Sequence, residues 1–118
     1  MSELKSANEV NEISQLIFES DLRKNVNSYT HQIAELIEAN SKKGLFEVYV
    51  AFTNVSYRTI DIKSQPGTLM VYDTAIHMQV QLTQTLEKIL VDLNYTVKCS
   101  TEYEQNNITT FMQIYWKK

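Results

Sequence analysis

The chain has 118 residues, is 43% hydrophobic and 21% charged, and carries a formal net charge of −3. These values describe an ordinary globular domain, long enough to bury a core without disulfide or metal staples. The 11 basic residues are scattered, with no run longer than Lys42-Lys43 or Lys117-Lys118, which disfavours binding to a phosphate backbone or to an anionic membrane surface.

Further classes fall away on composition. Cys99 is the single cysteine and has no disulfide partner within the chain, as expected in a reducing compartment. The first residues, MSELKSANEVNEI, lack the apolar segment of a secretory signal. No apolar run reaches the ~20 residues needed to span a bilayer. The sequons at Asn54, Asn94 and Asn107 therefore read as chance matches. Two glycines and one proline point to long regular elements and few tight loops, and the whole of 1–118 reads as one domain.

In chain order, residues 7–42 are helical in character. Val10, Ile13, Leu16 and Ile17 recur at helical spacing, as do Val26, Tyr29, Ile33, Leu36 and Ile37. The apolar stripe changes face around Phe18 to Leu22, and Ser20 and Asp21 are both N-cap types. The pattern thus predicts a helix over about 7–19, a break near 20–25, and a second helix over about 26–42. Lys42, Lys43 and Gly44 suit the C-terminal end of that helix.

The α+β unit follows, over 45–118. Phe46, Val48, Val50 and Phe52 alternate with Leu45, Glu47, Tyr49 and Ala51, which predicts a strand with its first set toward a core. Asn54 reads as a turn, and Val55–Ile62 as a second strand hairpinned to the first. Ser64-Gln65-Pro66-Gly67 is a strong turn signal. Leu69–Tyr72 reads as a β-segment or the lead-in to a helix. Ala75, Met78, Leu82, Leu86, Ile89 and Leu93 give a helix face over about 74–93, capped by Asp73 or Thr74, with a start as late as Thr83 left open. A turn at Asn94, a strand alternating from Tyr95 to Tyr103, a turn at Gln105–Asn107 and a strand from Ile108 to Trp116 complete the chain. The order is ααββαββ. It predicts a two-layer α+β sandwich, with a mainly antiparallel four-stranded sheet and the helices on one face.

Candidates for chemistry are few. His77 lies four residues after Asp73, one face of a helix if both are helical, but a metal needs three or four converging ligands and nothing nearby completes the set. His31 stands alone. Cys99 falls mid-strand on the apolar parity and reads as a buried, inert thiol. Glu9, Glu12, Glu35, Glu38 and Glu87 suit a solvated helix face. With only Gly44 and Gly67 available, a glycine-rich phosphate cradle is nearly excluded. No catalytic, metal or cofactor site is therefore expected. The feature of interest is aromatic: Tyr49, Phe111 and Tyr115 share the parity opposite to the core set, and either form an exposed protein-binding patch or are covered by the N-terminal helix folding over them through Ile13, Leu16 and Ile17.

Two stretches resemble a known class. IAELIEANSKKGLFEVYV (Ile33–Val50) is a helix, a lysine-rich end, a glycine and an alternating strand. LEKILVDLNYTVKC (Leu86–Cys99), closed by FMQIYW (Phe111–Trp116), completes a pattern that resembles small α+β proteins of tailed bacteriophages. There a helix is followed by L-x-x-x-G-Y-x-V and a last strand ending I-x-W. Asn94-Tyr95 stands here for Gly-Tyr. The resemblance covers roughly half the chain, omits Asn54–Val80, and transfers no catalytic residue. It implies a non-enzymatic accessory protein acting through protein partners or self-association, in the host cytoplasm or the virion. The expected role is a minor virion or assembly component. A cytosolic inhibitor of a host factor or defence system, and a small-ligand binder or enzyme with a cleft at the sheet–helix or subunit interface, are the alternatives.

Overall fold

The structure is a computed structural model, and it describes residues 4–56 and 67–117. The observed order is α1 (Ala7–Lys42), β1 (Glu47–Thr53), β2 (Thr68–Val71), α2 (Ile76–Asp92), β3 (Thr96–Glu104) and β4 (Asn107–Tyr115). The four strands form one mixed sheet in the order β2-β1-β4-β3.

The N-terminal region is a single helix of 36 residues, not two. Ser6 caps it, its hydroxyl accepting from the Glu9 amide at 3.2 Å. Ser20 and Asp21 do not cap anything: their backbone is helical. The change of apolar face is real, but it marks where the helix runs past the domain with its stripe exposed, not a break. The helix ends as its sequence suggests. Leu45 N–H donates to the Asn40 carbonyl and Gly44 N–H to that of Ser41, with Gly44 at φ 76°, the paired bonds of a left-handed C-terminal cap.

Helix α2 repeats this ending. Tyr95 N–H donates to Leu90 and Asn94 N–H to Val91, with Asn94 at φ 72°. Its start follows the earlier of the two expected boundaries. The cap differs from expectation: the capping position is Ala75, which makes no side-chain cap bond. Asp73 sits before the helix in a left-handed conformation, φ 57°.

The sheet topology differs from a simple pair of hairpins. β3 and β4 form the expected hairpin, Glu104 opposite Asn107, with Gln105 at φ 53°. β1 lies antiparallel to β4, Val48 opposite Ile114 and Val50 opposite Met112. On its other side β1 pairs with β2 in parallel, Tyr49 opposite Thr68. Among the described residues both edges of β1 are thus taken, by β4 and by β2. The strand expected at Val55–Ile62 falls mostly outside the described residues, and Val55 and Ser56 belong to no strand. Of the expected turn Ser64–Gly67, only Gly67 is described, at φ 80°.

Asn54 does more than turn the chain. Its Oδ1 accepts from Ile108 N–H at 2.9 Å and its Nδ2 donates to the Asn106 carbonyl at 3.3 Å, tying the end of β1 to the β3–β4 hairpin.

The core joins both helices to one sheet face. Val48, Val50, Phe52, Met112 and Ile114 are fully buried against Ile33 of α1 and Leu82, Leu86 and Leu90 of α2. Tyr29 of α1 meets Phe52 edge-on, ring centres 5.7 Å apart. Two members of the expected inward set behave differently: Phe46 is 47% exposed at the sheet's end, and Trp116 is half-buried, edge-on to Tyr95 at 6.2 Å.

Candidate functional site

The strand register brings the three aromatic residues together. Tyr49 lies directly opposite Gln113, and Phe111 and Tyr115 are the residues two before and two after Gln113 on β4. Tyr49 is therefore the diagonal neighbour of both, a separation within reach of aromatic side chains. All three point away from the core face, because Val48, Val50, Met112 and Ile114 occupy the alternate positions.

The cluster grades from covered to open. Ala51, between Met70 and Phe111 in the register, is 1% exposed, and Thr53 is 2% exposed. Tyr49 is 41% exposed, while Phe111 and Tyr115 are half-buried. The open end of this face is thus the Tyr49–Tyr115 end.

Polar and cationic groups frame that end. Glu47 lies opposite Tyr115 and its Oε2 accepts from Gln113 Nε2 at 2.9 Å. Lys98 Nζ stands 5.5 Å from the centre of the Tyr115 ring, and Lys117 Nζ 5.3 Å from that of Phe46. Phe46, Glu47, Lys98, Gln113, Tyr115 and Lys117 line a shallow cleft of about 460 Å³. The Tyr49 hydroxyl titrates above its ordinary range, first because neighbouring atoms remove water from it, then through a hydrogen bond to Glu47 and its charge. At neutral pH the tyrosine stays protonated and can donate. An apolar ring surface with a polar tip and mixed charge at the rim has the make-up of a protein-binding patch.

The other candidates do not converge. His31 is exposed on α1, 3.1 Å from Glu35. His77 is in the first turn of α2 but Asp73 lies before the helix, so the pair does not share a helical face as expected. Among the described residues no group of three or more His, Cys, Asp or Glu could hold a metal ion. No described helix is long and apolar enough to cross a membrane.

Cys99 corrects the sequence reading in one respect. Its register partner is the buried Met112, so it does face the helix side. Yet β3 is an edge strand, beside α2 but open along its outer side among the described residues, and Cys99 is exposed. Its Sγ lies 3.9 Å from Glu87 Oε2. The thiol is pushed up to about 11, first by loss of water beside α2 and then by the Glu87 carboxylate. A surface thiol held protonated is a poor nucleophile.

One surface escaped the sequence reading. Val10, Ile13, Leu16 and Ile17 are 48, 43, 69 and 59% exposed, and every residue from Leu4 to Ile17 is exposed. The signal was in the sequence as the shift of apolar face. Read as a helix break it hid a second face on one continuous helix.

Comparison with protein-family models, with curated proteins and with solved structures finds no match to this chain.

Proposed function

We propose that this chain is a non-enzymatic accessory protein of the tailed-phage kind, working through protein–protein contact as a minor virion or assembly component. The observation that carries the binding reading is that Tyr49 and Tyr115 lie at the open end of the outer sheet face, with Phe111 half-buried on the same face. A single exposed ring needs no explanation, whereas a contiguous apolar patch framed by polar groups marks a docking surface. The phage assignment rests on the helix-glycine-strand and L-x-x-x-N-Y-x-V patterns.

The test is affinity purification of the tagged chain from phage-infected cells, in parallel with Tyr49→Ser and Tyr115→Ser. Co-purification with particles at fixed stoichiometry, lost in both variants, supports the proposal. Stoichiometric recovery of one host protein instead identifies an inhibitor. A bound small molecule in native mass spectrometry, with no protein partner, overturns the protein-contact reading.

A further inference from the structure

Helix α1 has two apolar faces pointing in opposite directions, one on its N-terminal arm and one on the part packed on the domain. Leu22, Val26, Tyr29, Ile33, Leu36 and Ile37 pack on the domain. At about 100° per residue, the stripe of Val10, Ile13, Leu16 and Ile17 lies about 180° around the helix from them. From Ala7 to Asp21 the helix runs on for roughly 22 Å beyond the first residue packed on the core, which accounts for the 60 Å long axis of a body otherwise 34 by 21 Å. The side of the arm that does look toward the domain, through Phe18 and Leu22, borders an open cleft of about 780 Å³ against His77 and Val80 of α2. The stripe cannot turn to this chain's own core while the helix stays straight.

An isolated amphipathic helix of this length is marginal in water. Four exposed aliphatics in register therefore call for a cover, and the sequence states which one. Val10, Ile13, Ile17, Ser20 and Lys24 follow the 3-4-3-4 spacing of a coiled-coil seam, with Glu9, Leu16 and Arg23 on one flank of it. We propose that the arm pairs antiparallel with the same arm of a second copy.

The antiparallel register is self-complementary. Ile13 of one arm then layers on Ile17 of the other, and Val10 on Ser20. Leu16 meets Leu16 across the two-fold axis, closing one flank of the seam. Glu9 of each copy stands beside Arg23 of the other, so two identical ion pairs bracket the apolar layers. The parallel arrangement fails the same test, because it sets Lys24 against Lys24 in the seam. A two-fold pair of this kind uses one patch on both copies and closes on itself. A membrane surface fits poorly, since the arm carries Glu9, Glu12, Glu19 and Asp21 around its apolar stripe where a lipid-binding helix carries lysine and arginine.

This pairing is independent of the aromatic sheet face, and its test separates the two. Sedimentation of the wild-type chain from about 5 to 200 µM, the range suited to a small interface, should show a monomer–dimer equilibrium. The double variant Ile13→Asp/Ile17→Asp should weaken the dimer about tenfold or more, with a melting temperature like the parent's only at dilutions where both are monomeric, because neither side chain touches the core. Arg23→Glu should weaken it severalfold, and Glu9→Arg combined with Arg23→Glu should restore it. Tyr49→Ser should leave the dimer intact. A wild-type chain that stays monomeric, a dimer indifferent to Ile13→Asp/Ile17→Asp, or charge reversal without rescue overturns the proposal. So does a monomer whose arm binds lipid vesicles.

Discussion

Thr110 on β4 donates its hydroxyl proton to Gln79 Oε1 at 3.1 Å in the interior of the domain. Gln79 is 1% exposed, and its Nε2 donates to the carbonyls of Thr74 at 3.0 Å and Ile108 at 3.1 Å. One side chain therefore serves three partners from three places: the lead-in to α2, the start of β4 and its middle. It ties the lead-in to α2 to strand β4, though it accepts from none of the first-turn amides and so is not a cap. Gln79→Leu keeps the volume and removes every bond. It should cost about 1–3 kcal/mol for the polar groups left buried without partners, read as a lower midpoint in urea. Thr110→Val alone should cost less, since Gln79 keeps its two carbonyls. Equal stability of Gln79→Leu and parent would show that these three bonds add nothing net to the fold.

Leu86 is the centre of the α2 contact with the sheet, 1% exposed among Val48, Met112 and Ile114. Leu86→Ala should destabilise the domain by ~2–5 kcal/mol, the transfer loss plus the cavity left behind. That is a large share of the stability of a domain this size. Ile89 on the same helix is only half-buried, so Ile89→Ala should cost clearly less. A thermal melt of the two variants side by side orders them, and a reversed order would mean that the helix is rotated about its axis.

Cys99 separates accessibility from reactivity. The thiol is exposed, but its value near 11 against an ordinary value near 9 leaves about a hundredfold less thiolate at pH 8. The greater intrinsic nucleophilicity of a high-pKa thiol recovers part of this, so native labelling should run roughly tenfold slower than for the denatured chain. The native rate should keep rising with pH toward 11. Glu87→Gln should accelerate it without reaching the denatured rate, because loss of water is the larger cause. The linkage has a definite sign. The folded state holds the proton more tightly, so the stabilisation is complete below pH 9 and is lost as pH rises from about 9 toward 11. A pH-independent slow rate would indicate steric protection instead.

Much of this fold is legible where local chemistry decides it. Gly44 and Asn94 sit past helix ends in left-handed conformations, and the period-two runs of β1 and β4 set which residues face the helices. What failed depends on distant partners. The shift of apolar face near Phe18 looks like a helix break only if every stripe must face the same core. Parallel pairing of β1 with β2 leaves no mark in the four residues of β2. Cys99 has the inward parity, but whether an inward position is buried depends on how far the helices reach over the sheet. Gln79 carries no periodic signal at all, because its role comes from carbonyls up to 29 positions away. At the candidate site, parity placed Tyr49, Phe111 and Tyr115 on one face. Their adjacency needed the β1–β4 register.

That adjacency gives the sheet face its own test. The alternative to a docking patch was that the N-terminal helix folds over it through Ile13, Leu16 and Ile17. In the structure α1 packs on the opposite side, with Tyr29 against Phe52, and those three residues are themselves exposed. A charge at Tyr49 should therefore cost the fold little. Tyr49→Glu adds a carboxylate beside Glu47 on the same strand face, a repulsion softened by water at an exposed site. Its melting temperature should stay within a few degrees of the parent. Tyr115→Glu is the stricter case, because Tyr115 is half-buried, lies opposite Glu47 and loses the Lys98 cation over its ring. It should melt lower than Tyr49→Glu. Both should abolish partner capture, since truncating an aromatic anchor typically costs ~2 kcal/mol or more of binding. If Tyr49→Glu instead loses several kcal/mol, on the scale of a buried unpaired charge, the face is covered in solution. If it keeps full stability and full partner capture, the contact lies elsewhere on the molecule.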